Sequence, residues 1–428
     1  MNKLFICLTI LIIGCTQQPK KDVVSIQADY QRYLQKESKD TTPILKKVDL
    51  WKKKIDQQPK GFTFYEKLGS SYNELFEATG NVYYLNQADS CYKISNRLTQ
   101  GRWKIPSLLG LSSLAIKKHD FESAAQFAVQ ARELTSEKFG PLLMQFDAEM
   151  ELGNYQMAGS ILKENKRMDS FDYLVRLSKY KDYEGDLDSA IYYMEEAHSL
   201  IKRHQKERLL WASANLGDMY GHAGRVKDSY GKYLEVLELD PTYDYALKGI
   251  AWVAYSHDGK AADAINILET LRKKSAMPDY HLLLADICTQ EGFEDAAMRL
   301  KTEFIREATK PKYGGMYNKY LIELYNDRGQ FDKAMALAEE ELNNRPTPAA
   351  YDWLAWTMYN QGMTEEAIEI YEDNIKGKTF EPDVIYHMGV VYHASNRVEG
   401  EEFLKESLEA GYELGPLVTE EIKGLLKS

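Results

Sequence analysis

Several residues have types that could do chemistry, so their spacing decides the reading. Gly377-Lys378-Thr379 matches the tail of a phosphate-binding loop, where backbone amides and a lysine cradle phosphate. That loop needs a second glycine five residues upstream, and Glu372 stands there with no strand-patterned run before it. Ser178-x-x-Lys181 has the spacing of an acylated serine helped by lysine, but its partner motifs are missing. His198 and His204 are six apart, as are His387 and His393. Two ligands on one helix face need a spacing of three or four. No His-Glu-x-x-His or Cys-x-x-Cys occurs. The expectation is therefore a chain without catalytic residues, metal or cofactor, and so not an enzyme. One pattern does recur: Trp252-x-x-Tyr255 and Trp356-x-x-Tyr359 each place two rings on one helix face.

The amino terminus carries a different chemistry. Lys3 supplies a positive charge, Leu4 to Ile13 form an apolar run too short to span a bilayer, and the run ends Ile12-Ile13-Gly14-Cys15. This resembles the lipobox of bacterial lipoproteins, in which the cysteine thiol carries lipid and the chain is cut just before it. A small residue at Gly14 gives a peptidase access, and only a thiol can form the thioether. The other reading is an ordinary signal peptide with a chance cysteine. The resemblance implies a signal over 1–14, a lipidated Cys15 and a polar tether over 15–22. Several acyl chains would hold it firmly to the membrane. Thr16 does not match the acidic residue that marks inner-membrane retention, and the acidic residues of surface-exported lipoproteins are absent too. The expected place is an outer membrane, facing the periplasm.

These elements need a scaffold, and composition bounds it. The chain has 428 residues, 44 % of them hydrophobic and only 12 prolines, which favours helix over a linker-rich assembly. A net charge of −11 and a pI near 5.4 argue against nucleic acid, whose phosphates need a basic face. Lys46, Lys47, Lys52, Lys53, Lys54 and Lys60 make residues 46–60 locally basic, read either as a solvated face or as a contact to anionic headgroups.

The scaffold repeats. Gly153, Gly185, Gly224, Gly259, Gly292, Gly329 and Gly362 are spaced by 32, 39, 35, 33, 37 and 33 residues, and His119 and Asn396 extend the series by 34 on either side. Five residues after each marker comes a small residue, from Ala124 to Ala367, except for Glu401 in the last unit. Eight before it stands a large apolar residue in most units, such as Leu216, Leu284, Leu321 and Leu354; Gln145 departs, and Ile250 is shifted by one. A left-handed turn residue, a small residue for close helix approach and a large one to fill the gap describe antiparallel helix pairs. No alternating strand pattern appears.

This pattern is similar to the tetratricopeptide repeat over roughly residues 62–414, clearest in Leu216-Gly217-x-x-Tyr220…Gly224…Ser229…Tyr233…Pro241. The resemblance implies an all-α, right-handed solenoid of about ten repeats, preceded by helices over 23–61 and closed by a capping helix over 415–428 with Leu417, Ile422 and Leu425 inward. Cys91 and Cys288 then fall in distant repeats, as small core residues rather than a disulfide. In this family the first helix of each repeat lines a concave groove. The matching positions here give a partner site of Tyr245, Lys248, Trp252, Tyr255, Lys319, Trp356, Tyr359, Tyr386 and His393. The alternative is that these rings pack between helices. The function implied is a lipid-anchored envelope scaffold or adaptor holding a protein or peptide; the alternative is a lipoprotein that captures glycans or peptides for uptake.

Overall fold

The helices stop where the marker residues stand. All seven marker glycines have positive φ, between 63° and 85°, and His119 (59°) and Asn396 (56°) take the same left-handed conformation without being glycine. At Gly153 the turn closes with Gly153 N–H donating to Met150 O and Asn154 N–H to Glu149 O, which satisfies two carbonyls at the helix end. The next helix starts on a cap in several units: Asp120 and Asp186 accept from the amides of Ser123 and Ser189.

The protein, as a computed structural model, is described over residues 22–427; the lipobox residues and Cys15 lie outside them. Among the described residues there are 23 α-helices and no strand. Helix α1 spans Gln27–Leu34 and α2 spans Thr42–Gln57. Ten antiparallel pairs follow, from α3–α4 (Phe62–Thr79, Val82–Leu98) to α21–α22 (Pro382–Ala394, Val398–Glu409), and together they form the right-handed solenoid. The inner helices between these are α5 (Ile105–Lys117), α7 (Phe139–Glu151), α9 (Phe171–Tyr183), α11 (Lys206–His222), α13 (Asp244–Trp252), α15 (Tyr280–Gln290), α17 (Asn318–Asp327) and α19 (Pro348–Asn360). Successive inner helices touch one another, as α5 does α7 and α17 does α19, and so define the concave side.

The small residues do what their size suggests. Ala124, Ala158, Ala190, Ala264, Ala334 and Ala367 are fully buried where paired helices cross. The last unit moves this position by one: Gly400 takes it, and a Cβ there would lie 2.4 Å from His393 N, while Glu401 points outward. The irregular spacing of Ile250 also has a cause. Residues Val253–His257 form a π turn at the end of α13, which absorbs one extra residue before Gly259. Gln145 is buried in place of an apolar residue because Arg132 donates to it and it donates to Glu149.

The solenoid winds so tightly that its second turn sits on its first. The helix-to-helix turns of early repeats meet the inter-repeat loops of later ones. A Cβ on Gly80 would come within 2.8 Å of Met277, on Gly153 within 3.2 Å of Thr347, and on Gly185 within 2.7 Å of Phe380. Arg345 reaches from the second turn to Glu151 and over the Phe121 ring. Thus the first and seventh repeats, expected far apart, are edge-to-edge neighbours. Cys91 and Cys288 are nevertheless buried in separate core clusters and unbonded.

Both ends of the described residues are tied to the middle of the solenoid. Residues 22–26 are extended, not helical, because the Asp258 carboxylate accepts from Val24 N–H, Ser25 N–H and the Ser25 hydroxyl. Helix α1 then lies on the convex side against α12 (Val226–Leu239) and α14 (Ala261–Lys274), burying Tyr30 and Tyr33. At the other end, α23 (Gly411–Leu425) is broken at Gly415 (φ 82°, ψ 170°), so its regular part begins at Pro416. Its inward residues are Leu414, Val418, Ile422 and Leu425, a stripe that leaves out the expected Leu417.

Candidate functional site

The concave face is built from one register of the repeat. The residue two after the large apolar marker points inward, and along the chain this gives Asp218, Trp252, Asp286, Glu323 and Trp356. The aromatic members were legible as Trp-x-x-Tyr. The acidic members were missed, although the same register finds them.

The aromatic members are not open anchors. Helix α23 crosses the concave side against α11, α15, α21 and the end of α13. Trp252 Nε1–H donates to Tyr412 O at 3.1 Å, and the Ser256 hydroxyl donates to the same carbonyl at 2.8 Å. The Tyr412 ring stands edge-on to Trp252. Gly221 and Gly415 leave room for these rings: a Cβ on Gly221 would lie 2.6 Å from Tyr412, and one on Gly415 2.9 Å from Trp252. Tyr255 is 4 % exposed, with its hydroxyl on Gln290, and Tyr386 is 7 % exposed, beside the Glu421 carboxylate. Trp356 and Tyr359 pack against the same helix. The expectation of a bare aromatic groove is therefore corrected: at these positions the chain's own last helix supplies the occupant, because Leu414, Val418 and Ile422 need an apolar surface to cover.

Beneath this roof lies a buried polar trio. Asp352, fully buried, accepts from the Tyr371 hydroxyl at 2.8 Å and lies 2.9 Å from His387 Nδ1. Trp356 stacks on the His387 ring, 4.1 Å between centroids and 9° from parallel. Burial opposes a charge on His387, but Asp352, with Asp383 and Glu323 beyond it, outweighs burial and raises the imidazole above its ordinary value.

The remaining groove residues are at least partly exposed. Tyr245 is 46 % exposed, with its hydroxyl donating to Asp218, and Lys248 lies over its ring. Lys319 is held 2.6 Å from Asp383. His393 is half-buried at the end of α21. Around them the charge is negative. Burial in the channel wall pushes Asp286 up to about 6, Lys301 opposing and Asp327 adding to the shift. Burial likewise pushes Glu323 up to about 7, with Lys319 and His387 opposing and Asp383 adding to it. Glu381, at the rim, rises to about 7 through enclosure and through Asp383, Glu413 and Asp182. Asp286 and Glu323 make no ion pair among the described residues. The same residues contain no cluster of His, Cys, Asp and Glu arranged to hold a metal ion.

The helix pairs, left-handed turns and inner register together define a tetratricopeptide-type solenoid. No family model matches the chain. A putative mitochondrial pentatricopeptide repeat-containing protein of Arabidopsis thaliana is 22 % identical over 206 residues, 47 % of this chain. The chain spans 31 % of that relative's length. Among solved structures, a tetratricopeptide repeat protein from Parabacteroides merdae is 18 % identical with a TM-score of 0.36, covering 60 % of this chain and 97 % of its own. A monomeric mutant of IFIT1 is 14 % identical with a TM-score of 0.47, covering 90 % and 95 %. YrrB, described as a TPR protein with an unusual peptide-binding site, is 14 % identical with a TM-score of 0.28, covering 47 % and 97 %.

Proposed function

We propose that this protein is a lipid-anchored envelope scaffold, without catalytic activity, whose concave channel holds a cationic segment of a partner protein. The observation that carries the reading is acid that the inner face does not fully neutralise: Asp286 and Glu323 make no ion pair among the described residues, burial outweighs the cations near them, and Glu323 lies near the exposed ring of Tyr320. Carboxylates kept partly protonated by burial are a reservoir for a cation, and a tyrosine ring face adds cation–π attraction for lysine or arginine. The inter-repeat loops are short, so nothing is inserted to build a sugar site, and a protein or peptide is favoured over a glycan. The anchor part of the reading rests on the lipobox resemblance of Ile12-Ile13-Gly14-Cys15, and an outer-membrane position facing the periplasm is proposed with it.

Titration with a lysine- and arginine-rich peptide, against its glutamate-substituted counterpart, tests the channel. A bound cation lowers the Glu323 pKa, so binding should release protons below about pH 7 and tighten as pH rises from about 5 to 8. Equal binding of both peptides, or no proton release, refutes the channel reading. The anchor has its own arm: Cys15→Ala should leave an unprocessed chain without added lipid mass.

A further inference from the structure

The two stacked turns leave the solenoid with two free edges. The lower edge of the first turn is formed by the loops that join its repeats and the first residue of α11, residues 58–61, 99–104, 134–138, 165–170, 200–206 and 240–243. These carry nine Lys or Arg against three Asp or Glu, in a chain whose net charge is −11. The upper edge of the second turn is formed by the turns inside its repeats together with the first residues of the outer helices they open, residues 291–295, 327–332, 361–366 and 395–402, which carry ten Asp or Glu against two Arg, all but Glu291 of the acids being helical. Acidic residues suit the starts of the outer helices, whose dipoles favour them. That does not account for the opposite charge on the other edge, where inner helices also start.

The apolar residues of the two edges match as well. The lower edge exposes Leu98, Trp103, Met168 and Leu200, with Trp103 57 % exposed. The upper edge exposes Phe293, Met363 and Val398, next to turn glycines Gly292, Gly329 and Gly362, over which a Cβ would meet nothing within 4 Å. The molecule already contains the joint these features would make. Where its second turn rests on its first, side chains from inter-repeat loops (Met277, Thr347, Phe380) seat on turn glycines (Gly80, Gly153, Gly185). The free lower edge offers the same kind of loop side chains, and the free upper edge the same empty glycine seats.

We infer that the two free edges bind one another between copies of this chain, head to tail, continuing the superhelix with the basic lower edge of one copy on the acidic upper edge of the next. This goes beyond the channel reading and does not depend on it, since the channel faces inward. The contact is heterologous, so it generates an open series of oligomers rather than a closed dimer. Its charge term weakens with salt, because the edge charges are exposed and screened within about 10 Å at 0.1 M.

Sedimentation of the full chain in non-ionic detergent tests it. The wild type should grow in mass with concentration at low salt and return toward monomer at high salt. Two variants reverse one edge each: Lys166→Glu, Arg167→Glu, Lys202→Glu and Arg203→Glu together, or Glu294→Lys, Asp295→Lys, Glu365→Lys and Glu366→Lys together. Each alone sets like charges against each other and should raise the self-dissociation constant at least roughly tenfold. Combining the eight changes in one chain, or mixing the two variants, should restore association, which no folding defect could do. A wild type that stays monomeric at every concentration overturns the inference, as does association that neither edge reversal weakens. So does a monomeric chain whose basic edge binds phosphatidylglycerol vesicles in preference to neutral ones, since that edge would then face lipid.

Discussion

The first and second turns are made from the same helix pair, yet they differ in how completely they pair the charge on their inner faces. In the first turn the charges pair from one repeat to the next: Arg176 lies 2.5 Å from Asp147, Lys179 2.7 Å from Glu151 and Arg208 3.1 Å from Asp172. In the second, Lys319 pairs with Asp383 and His387 with Asp352 under Trp356, but Asp286 and Glu323 make no ion pair among the described residues. A frame that only keeps its shape gains from neutral inner walls. Carboxylates held above their usual range in a narrow channel cost stability, and such groups gather where a ligand completes the charge. Burial raises first-turn carboxylates too, Asp147 beside Arg176 among them, so what sets the second turn apart on the proposed reading is that Asp286 and Glu323 are raised without an ion pair.

The largest effect should come from breaking the sealed pair. Asp352→Ala leaves the His387 imidazole buried without its carboxylate and strands the Tyr371 hydroxyl, so urea unfolding should show a loss of about 3–5 kcal/mol. Asp147→Ala removes the corresponding first-turn partner, but Arg176 keeps bonds to the Leu143 and Asp172 carbonyls and some contact with water. The loss there should be about 1–2 kcal/mol. Equal losses would erase the distinction between the turns.

Next in size is the roof. Ile422 is fully buried, at the centre of the α23 stripe. Truncating it to alanine removes three methyl or methylene carbons from a packed site and should cost about 2–4 kcal/mol of α23 docking. The readout is local: faster amide exchange in α23 and greater quenching of Trp252 and Trp356 by acrylamide, with first-turn exchange unchanged. A uniform loss of protection through both turns would mean that α23 is core and not a roof.

Much of this frame was legible in the sequence, and the reasons are local. A turn residue with positive φ, a small residue at a helix crossing and a large one beside it are each fixed by contacts within one repeat. Their spacing therefore gave ten helix pairs, and even His119 and Asn396 as turn residues. What was not legible depends on contacts between residues far apart in sequence. That Phe380 rests on Gly185 follows from superhelical pitch, which no single repeat encodes. That Trp252 meets Tyr412 follows from where α23 lands after ten accumulated rotations. The aromatic pairs were visible because Trp is rare. Asp286 and Glu323 were not, because a carboxylate on an exposed helix face is ordinary until a second wall closes over it.

The smallest expected effect bears most directly on that closing wall. Glu323 has an ordinary pKa near 4.3 in the unfolded chain, while in the channel burial raises it to about 7. Between these values the folded chain binds more protons than the unfolded one, so stability falls as pH rises through the window. Below about pH 4 the side chain is neutral in both states and there is no penalty; above about pH 7 the penalty is complete. Wild-type protein should therefore be more stable near pH 5 than near pH 8 as far as this group governs it. Glu323→Gln should flatten that dependence and raise stability at pH 8 by about 1 kcal/mol, less than the full shift implies, because water reaches the channel. The first turn supplies the control. Glu151 sits there beside Lys179 and Arg345, and its pKa is lowered: burial would raise it, but those cations outweigh burial. Its sign is the reverse. It contributes stability that is present above its unfolded pKa and lost as pH falls through the folded value, so Glu151→Gln should weaken the protein at pH 8. Opposite signs for these two glutamates would show that an ion pair offsets burial at Glu151 and that none does so at Glu323, as the proposed channel requires.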